Sequence, residues 1–294
     1  MRVVQISDLH LSRSHSYFYD NWRIALDILR EDPPDLTIVS GDVSFNGADS
    51  REDLAFAREQ LEELPAPWVV IPGNHDVGDH PLSKKLDQPV NAERYGRWME
   101  LFGDDRFLRE YLGFRIAGIA TALMGSGLPR EEEQWRWIRE LLDPAAPPTM
   151  LVLHKPLFAR SIDETEFNKS CVDPESRARL RLLLQRGAVP LVASAHVHVY
   201  KNVEADGIEF VWCPATSFVV SWEGKDVYGG VRRAGWIEYE IAVGGEARDG
   251  SASGSSISIV HRWIEPPLLV NYDLRNWFIH TGSTVSMPPR PLRG

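Results

Sequence analysis

The chain has 294 residues, 43% of them hydrophobic and 25% charged, with a net charge of −10; this is the make-up of a globular protein with a sizeable core. The acidic balance argues against a nucleic-acid polymer as the main substrate, because backbone binding relies on Lys and Arg clusters. No run of about 18 apolar residues offers a membrane span, and two cysteines, Cys171 and Cys213, are too few for a disulfide scaffold. In chain order, residues 3–7 read as a buried strand that runs out at Asp8. Residues 20–31 carry Trp22, Ile24, Ala25, Ile28 and Leu29 at helical spacing, stopped by Pro33-Pro34. A second apolar run, 36–40, ends at Gly41-Asp42. Ser50-Arg51-Glu52-Asp53 resembles a capping box ahead of Leu54, Ala57, Leu61 and Leu64. Strand 68–71 leads into Gly73-Asn74-His75, and 114–120 reads as a further strand. A helix is expected over 131–142, with Trp135, Ile138, Leu141 and Leu142 on one side. Strand 150–153 ends at His154. Asp173-Pro174 opens a helix that closes at Gly187, and 189–193 leads into His196. Beyond His198 the pattern turns to β, with candidate strands at 208–212, 218–222, 235–241 and 257–263. Such an order predicts an α/β (α+β) fold of two sheets flanked by helices.

Three segments are expected. Residues 1–243 form the main domain, and 244–256, rich in Gly, Ser and Ala, a flexible turn or linker. Residues 257–294 add a strand and a tail whose Tyr272, Trp277 and Phe278 are too apolar to dangle; it should pack on the domain or on a second subunit. The N-terminus enters a strand at Val3 with no room for a signal peptide, so a cytoplasmic setting is the expectation.

Five of the nine histidines fall in five short segments: Asp8-Leu9-His10, Gly41-Asp42, Gly73-Asn74-His75-Asp76, His154 and His196-Val197-His198. Each is weak alone, since D-x-H and H-x-H occur by chance. Their order, each after an apolar strand, carries the weight. Side chains alternate along a strand, so Asp8 and His10 can point to one place, and open α/β sheets gather ligands outside the carboxyl ends of their strands. Carboxylate and amide oxygens with neutral imidazoles suit borderline ions such as Zn, Mn, Fe or Co. Two such ions, roughly 3.5–4 Å apart, can clamp a phosphoryl group and activate a water.

In these motifs the chain resembles the calcineurin-like metallophosphoesterase superfamily, whose pattern is D-x-H, GD, GNH-D/E, H, then GH-x-H. The resemblance implies a four-layer αββα sandwich of two mixed sheets flanked by helices. It also implies two divalent or transition metal ions: Asp8, His10, Asp42 and His198 around one, Asp42, Asn74, His154 and His196 around the other, with Asp42 as the bridge. His75, with Asn74, would face the substrate phosphoryl group as electrostatic stabiliser or proton donor. Ala195 departs from the family's usual glycine before His196, but removes no ligand.

Further departures sort the branches. Protein phosphatases of the superfamily carry an Asp and an Arg where this chain has Phe45 and Asn46, and purple acid phosphatases need a Tyr at Phe45. Asp8-Leu9-His10-Leu11, Gly41-Asp42-Val43-Ser44, His154-Lys155-Pro156 and Pro214-Ala215-Thr216-Ser217 resemble the small bacterial phosphodiesterase branch, which includes cyclic-nucleotide and glycerophosphodiester hydrolases. The expectation is hydrolysis of small organic or cyclic-nucleotide diesters by a metal-bound hydroxide. The alternatives are a phosphomonoesterase of the same superfamily and a metal-binding scaffold without turnover. A single-metal hydrolase or oxygenase would leave Asn74 and several ligands unexplained. The expected partner is a small phosphoester, with no nucleic-acid polymer and no membrane, and a homo-oligomer is left open. Outside the motifs, His15 reads as a solvated loop histidine, His80 as lying off the site, and Lys155 as a surface salt-bridge former that could instead meet substrate phosphate. Asp76 either orients His75 or caps a turn. Tyr17, Phe18 and Tyr19 could pack against a substituent of the substrate, and Trp222 could form a substrate platform.

Overall fold

A computed structural model describes residues 1–65, 67–83, 88–221, 228–244 and 257–292. The first half alternates β1 (Arg2–Ile6), α1 (Tyr19–Glu31), β2 (Leu36–Val39), α2 (Arg51–Leu61), β3 (Trp68–Val70), the single turn α3 (Asn74–Val77) and α4 (Ala92–Phe102). A hairpin of β4 (Phe107–Tyr111) and β5 (Phe114–Gly118) follows, then α5 (Pro129–Leu141), β6 (Thr149–Val152), α6 (Pro174–Arg186) and β7 (Leu191–Ser194). The chain continues through β8 (Lys201–Ala205), β9 (Ile208–Trp212), β10 (Trp236–Val243), β11 (Ile257–Ile264) and α7 (Arg275–Thr281).

The strands form two mixed sheets. One runs β11-β10-β1-β2-β3 and the other β4-β5-β6-β7-β9-β8. The central neighbours are parallel: β1 with β2, β2 with β3, β5 with β6, β6 with β7 and β7 with β9. Strand alternation explains the layers. Val3, Ile38, Val69, Ile116, Met150 and Val152 face one another between the sheets. Their neighbours Val4, Val39 and Val70 turn outward onto Trp22, Leu26, Leu54 and Ala57 of α1 and α2 and Trp98 of α4. On the other side Ala117, Leu151 and Val192 meet Trp135 and Ile138 of α5 and Leu180 and Leu184 of α6. The result is the expected four-layer αββα sandwich.

Caps follow the sequence. Ser50 accepts from the Asp53 amide at 3.1 Å at the start of α2. Asp173 accepts from Glu175 and Ser176 ahead of Pro174, and α6 stops at Gly187. The candidate strand 218–222 is the exception: its described part, residues 218–221, is an irregular segment with a single bridge, Val219 to Asp273. Trp222 and residues 245–256 of the expected linker lie outside the described residues.

Strand β11 pairs along its whole length with β10. Beyond it, Tyr272, Leu274, Trp277 and Phe278 pack on Phe18, Phe45 and Phe218 of the same chain. Both cysteines are buried and free. Among the described residues no helix is long and apolar enough to cross a membrane.

Candidate metal centre

The expected site residues converge at the carboxyl ends of the parallel strands. Asp8 and His10 follow β1, Asp42 follows β2, Asn74 and His75 open α3 after β3, His154 follows β6, and His196 and His198 follow β7. Three overlapping groups form, each with ligand atoms within 4.8 Å of one another: Asp8, His10 and His198; His10, Asp42 and His75; Asp42, His154 and His196. Asn74 joins the last group through Oδ1, 3.3 Å from His154 Nε2. Asp42 links them, with Oδ2 3.3 Å from His154 Nε2 and 4.0 Å from His10 Nε2.

The backbone is bent to achieve this. Among the described residues seven non-glycine positions have positive φ, and five are site residues: Asp8 (53°), His10 (48°), Asp42 (49°), His196 (69°) and His198 (55°). That conformation is costly for a residue with a Cβ, and its concentration at one place points to function. Two glycines make room. A Cβ on Gly41, whose φ is +97°, would lie 2.5 Å from His154 Nδ1, and one on Gly73 would lie 2.2 Å from Asp42 Oδ1. Ala195 needs no such freedom; its methyl sits in the core between the sheets, and its amide donates to the His154 carbonyl at 2.8 Å.

Hydrogen bonds behind the site fix which nitrogen of each ring faces inward. His154 Nδ1 donates to Ser40 O at 2.8 Å, His198 Nδ1 to Phe218 O at 2.9 Å and His75 Nδ1 to Phe45 O at 2.8 Å. A carbonyl only accepts, so in the neutral ring each Nε2 carries a lone pair directed inward. These lone pairs meet more lone pairs. His154 Nε2 faces Asp42 Oδ2 and Asn74 Oδ1, with His196 Nδ1 at 3.2 Å, and His198 Nε2 lies 3.2 Å from Asp8 Oδ1. Asp8 Oδ1 and both ring nitrogens of His10 are buried without a hydrogen-bond partner. Buried acceptors crowded together with nothing to donate to them need cations, and the donor set of N and O atoms suits divalent transition metals.

The electrostatics agree. Burial would raise the Asp42 carboxyl, but His154, His75 and His10 around it hold it well below the usual carboxylate range. Burial lowers the His154 imidazole, yet Asp42 and its hydrogen bond outweigh this and lift it to about 9. A proton there stands where a metal would. Burial, reinforced by neighbouring positive charge, keeps His10 and His196 neutral and ready to ligate.

Supporting residues sort the remaining expectations. Asp76 is a clamp: its carboxylate accepts from the Gly73, Val43 and Ser44 amides at 2.8, 3.2 and 2.9 Å and from Ser44 Oγ at 2.6 Å, and no bond to His75 is formed. Burial and the charge of Asp42 raise it to about 6. Lys155 is buried rather than on the surface. Its ammonium pairs with the buried Asp79 and donates to Lys169 O at 2.6 Å, and these partners hold it inside. His80 lies against Phe167, the rings tilted by 45° with centroids 5.3 Å apart, beside a small cavity behind Asn74. His15 is not simply solvated; it stacks on Phe45 at 4.7 Å.

A cleft opens over the centre, lined by His10, Asp42, Asn74, His75, His196 and His198 below. Its walls are Asp79, Lys169, Ser170, Val197, Phe218, Val220, Tyr228, Phe278, Gly282 and Ser283. Tyr17, Phe18 and Tyr19 do not line it: Tyr17 donates to Pro288 O at 2.7 Å, Phe18 is buried, and Tyr19 bonds Gln60 at 3.0 Å. Apart from Val197, which lies between two motif histidines, the wall residues carry no motif and the sequence reading missed them; the apolar tail containing Phe278 was a visible sign.

Comparisons with known proteins agree with this geometry. The chain is 28% identical over 195 residues to purple acid phosphatase 21 of Arabidopsis thaliana, covering 62% of this chain and 42% of that protein. It therefore spans about two-fifths of that relative's length. It is 28% identical over 210 residues to a probable glycerophosphodiester phosphodiesterase, GpdQ, of Arcobacter nitrofigilis, covering 67% of this chain and 72% of the other. It is 26% identical over 227 residues to a probable cyclic nucleotide phosphodiesterase of Synechococcus, with 75% and 77% covered. The family model for calcineurin-like phosphoesterases matches residues 1–200. That span contains every one of the converging candidate ligands, and the chain belongs to the calcineurin-like phosphoesterase family.

Proposed function

We propose that this chain hydrolyses small phosphodiesters with the help of two metal ions. Asp8, His10, Asp42 and His198 would hold one ion, and Asp42, Asn74, His154 and His196 the other. The observation that carries the reading is the set of buried polar atoms with no partner, above all Asp8 Oδ1 and the His10 ring, whose unprotonated nitrogen has no donor. When bound, the ions supply Lewis acidity and a water activated near neutral pH.

The chain's own residues do the rest. Asp42 offers Oδ2 to both groups while the His75 amide holds its Oδ1 at 2.8 Å, which fixes the carboxylate plane. The carbonyls of Ser40 and Phe218 aim the rings of His154 and His198. Phe45 O orients His75, so Nε2 is the atom at the cleft; once that nitrogen has taken up a proton, it can donate to a phosphoryl oxygen or to the departing alkoxide.

A diester fits better than a monoester because the cleft is poor in cations. Arg13 pairs with Glu59, Lys155 with Asp79, and Lys201 donates to Ala159 O at 3.0 Å over the Trp212 ring. Among the described residues only Lys169 contributes a cationic side chain to the walls. A monoester dianion needs more. The similarity to a probable glycerophosphodiester phosphodiesterase and a probable cyclic nucleotide phosphodiesterase supports the same choice. The test compares bis-(p-nitrophenyl) phosphate with p-nitrophenyl phosphate under Mn, Zn, Fe and Co. A kcat/KM for the diester at least about tenfold higher, ~1.4 kcal/mol of transition-state preference, is expected. Equal or faster monoester hydrolysis would make the chain a phosphomonoesterase, the reading that the purple acid phosphatase relative favours.

A further inference from the structure

We propose that Phe278 of α7, with Val220 and Tyr228, forms an apolar wall that selects phosphoesters carrying a flat apolar substituent, of the size of an aryl ring. The inference rests on the phosphoesterase reading of the centre and names the substituent that reading leaves open.

The wall is separate from the family's common part. The family match ends at residue 200, whereas Phe218, Val220, Tyr228, Phe278 and Ser283 all line the cleft from beyond it. One side of the cleft is thus metal-ligating and polar, the other mainly apolar and aromatic. Phe218 closes the angle between them, its ring 4.9 Å from His10 and 4.3 Å from His198. A phosphoryl group at the histidines therefore directs its substituent toward Val220, Tyr228 and Phe278. Aromatic faces favour a flat ring over a hydroxylated chain, which would leave hydroxyl groups against apolar surface.

The wall is also held in place before any ligand arrives. Ahead of α7, the buried Asn21 side chain donates to Val270 O at 2.8 Å and accepts from Val270 N at 2.9 Å. Its amide also reaches Thr216 O and Ser217 O at 3.2 and 2.9 Å, joining the tail to the loop that supports Asp8. Val219 adds two backbone bonds, to Tyr272 at 2.9 Å and from Leu274 at 3.0 Å. After α7, Arg290 exchanges backbone bonds with Ser14 and Ser16 at 2.7 and 2.9 Å. Trp277 Nε1 donates to Ser283 O at 3.0 Å, tying the helix to the segment after it. A surface fixed at both ends loses little freedom on binding, so its selectivity reflects contact.

Phenylphosphonate and methylphosphonate test this without turnover, because their P–C bond is not hydrolysed. Calorimetric titration of the Mn-loaded protein should show phenylphosphonate binding roughly tenfold to thirtyfold more tightly, the effect of burying most of a ring. Phe278→Ala should cut that ratio to about threefold or less. Phe278→Leu, which keeps apolar volume, should fall between, and it remains informative if the alanine variant fails to fold. Equal affinities in the wild type, or a ratio unchanged in both variants, overturn the proposal. A phenyl preference with no hydrolysis of any phosphoester would instead refute the phosphoesterase reading and leave the wall standing. Failure of both phosphonates to bind overturns both.

Discussion

Gly73→Ala isolates the metal centre from the fold. Gly73 has a φ of −102°, which any residue adopts, so the perturbation is purely steric. Its new Cβ would lie 2.2 Å from Asp42 Oδ1, 2.3 Å from Asp42 N and 2.8 Å from Asp42 Cγ. Against ordinary van der Waals contact this is an overlap of roughly 1 Å. The backbone nitrogen cannot retreat, because residues 41–43 are bonded to the 8–11 segment through Asp8 N to Gly41 O, His10 N to Asp42 O and Leu11 N to Val43 O, all 2.9–3.0 Å. The carboxylate must therefore move, or the Gly73-Asn74 turn must, carrying Asn74 and His75 with it. Overpacking of this kind costs about 1–3 kcal/mol, a drop of about 2–6 °C in Tm for a chain this size. A shift of ~1 Å in a bridging ligand costs on the order of 10²-fold in rate. The variant should fold, lose most of its bound metal, and hydrolyse bis-(p-nitrophenyl) phosphate at least ~10²-fold more slowly. Elemental analysis, a melting curve and the diester assay on one preparation decide it. Full metal content with activity within tenfold of wild type would refute the geometry assigned to Asp42.

Three more outcomes are expected. Wild-type protein should carry two metal ions per chain and lose turnover reversibly to a chelator, and Asp42→Asn should carry fewer, since a neutral amide bridges two cations poorly; one ion or none in active enzyme contradicts the paired-ion reading. His75→Ala should keep both ions yet slow the reaction by ~10²–10³-fold, whereas loss of metal would make His75 a ligand. Lys155→Met should leave Asp79 buried without its partner and destabilise the fold by about 3–5 kcal/mol at neutral pH. In the wild type burial raises the Asp79 carboxyl, but Lys155 outweighs it and holds the group below its ordinary value. The pair's stability is then present above the unfolded pKa and lost as pH falls. Without Lys155 burial dominates and the carboxyl rises, so the variant's deficit should shrink on acidification; urea melts at pH 5 and 7.5 that show the deficit growing would refute this.

The convergence of the candidate ligands was legible because it is tied to position: each of Asp8, Asp42, Asn74, His154 and His196 sits just past an apolar strand, where the sheet topology brings them together. The two-layer burial of Val3 and Val4, or of Met150 and Leu151, was visible as continuous apolar runs, which is how strands covered on both faces read. What failed was weaker in local signal. Strand β8 was missed although Asp206-Gly207, at φ 53° and 73°, is a standard two-residue hairpin turn. Helix α4 fully buries only Tyr95 and Trp98, too little periodicity to stand out. Residues 218–222 looked like a strand because they are apolar, but Val219 takes its backbone partners from Tyr272 and Leu274 some fifty residues later, a pairing no local pattern encodes. Lys155 was misread for a similar reason, since its partner Asp79 is distant in sequence.

The left-handed backbone at Asp8, His10, Asp42, His196 and His198 has a consequence beyond catalysis. Each of these residues would relax as glycine, by on the order of 1 kcal/mol. Replacing the candidate ligands by glycine one at a time would therefore firm the backbone while removing the side chains that converge there. A side chain stands at each of the five positions at the expense of how tightly the chain folds.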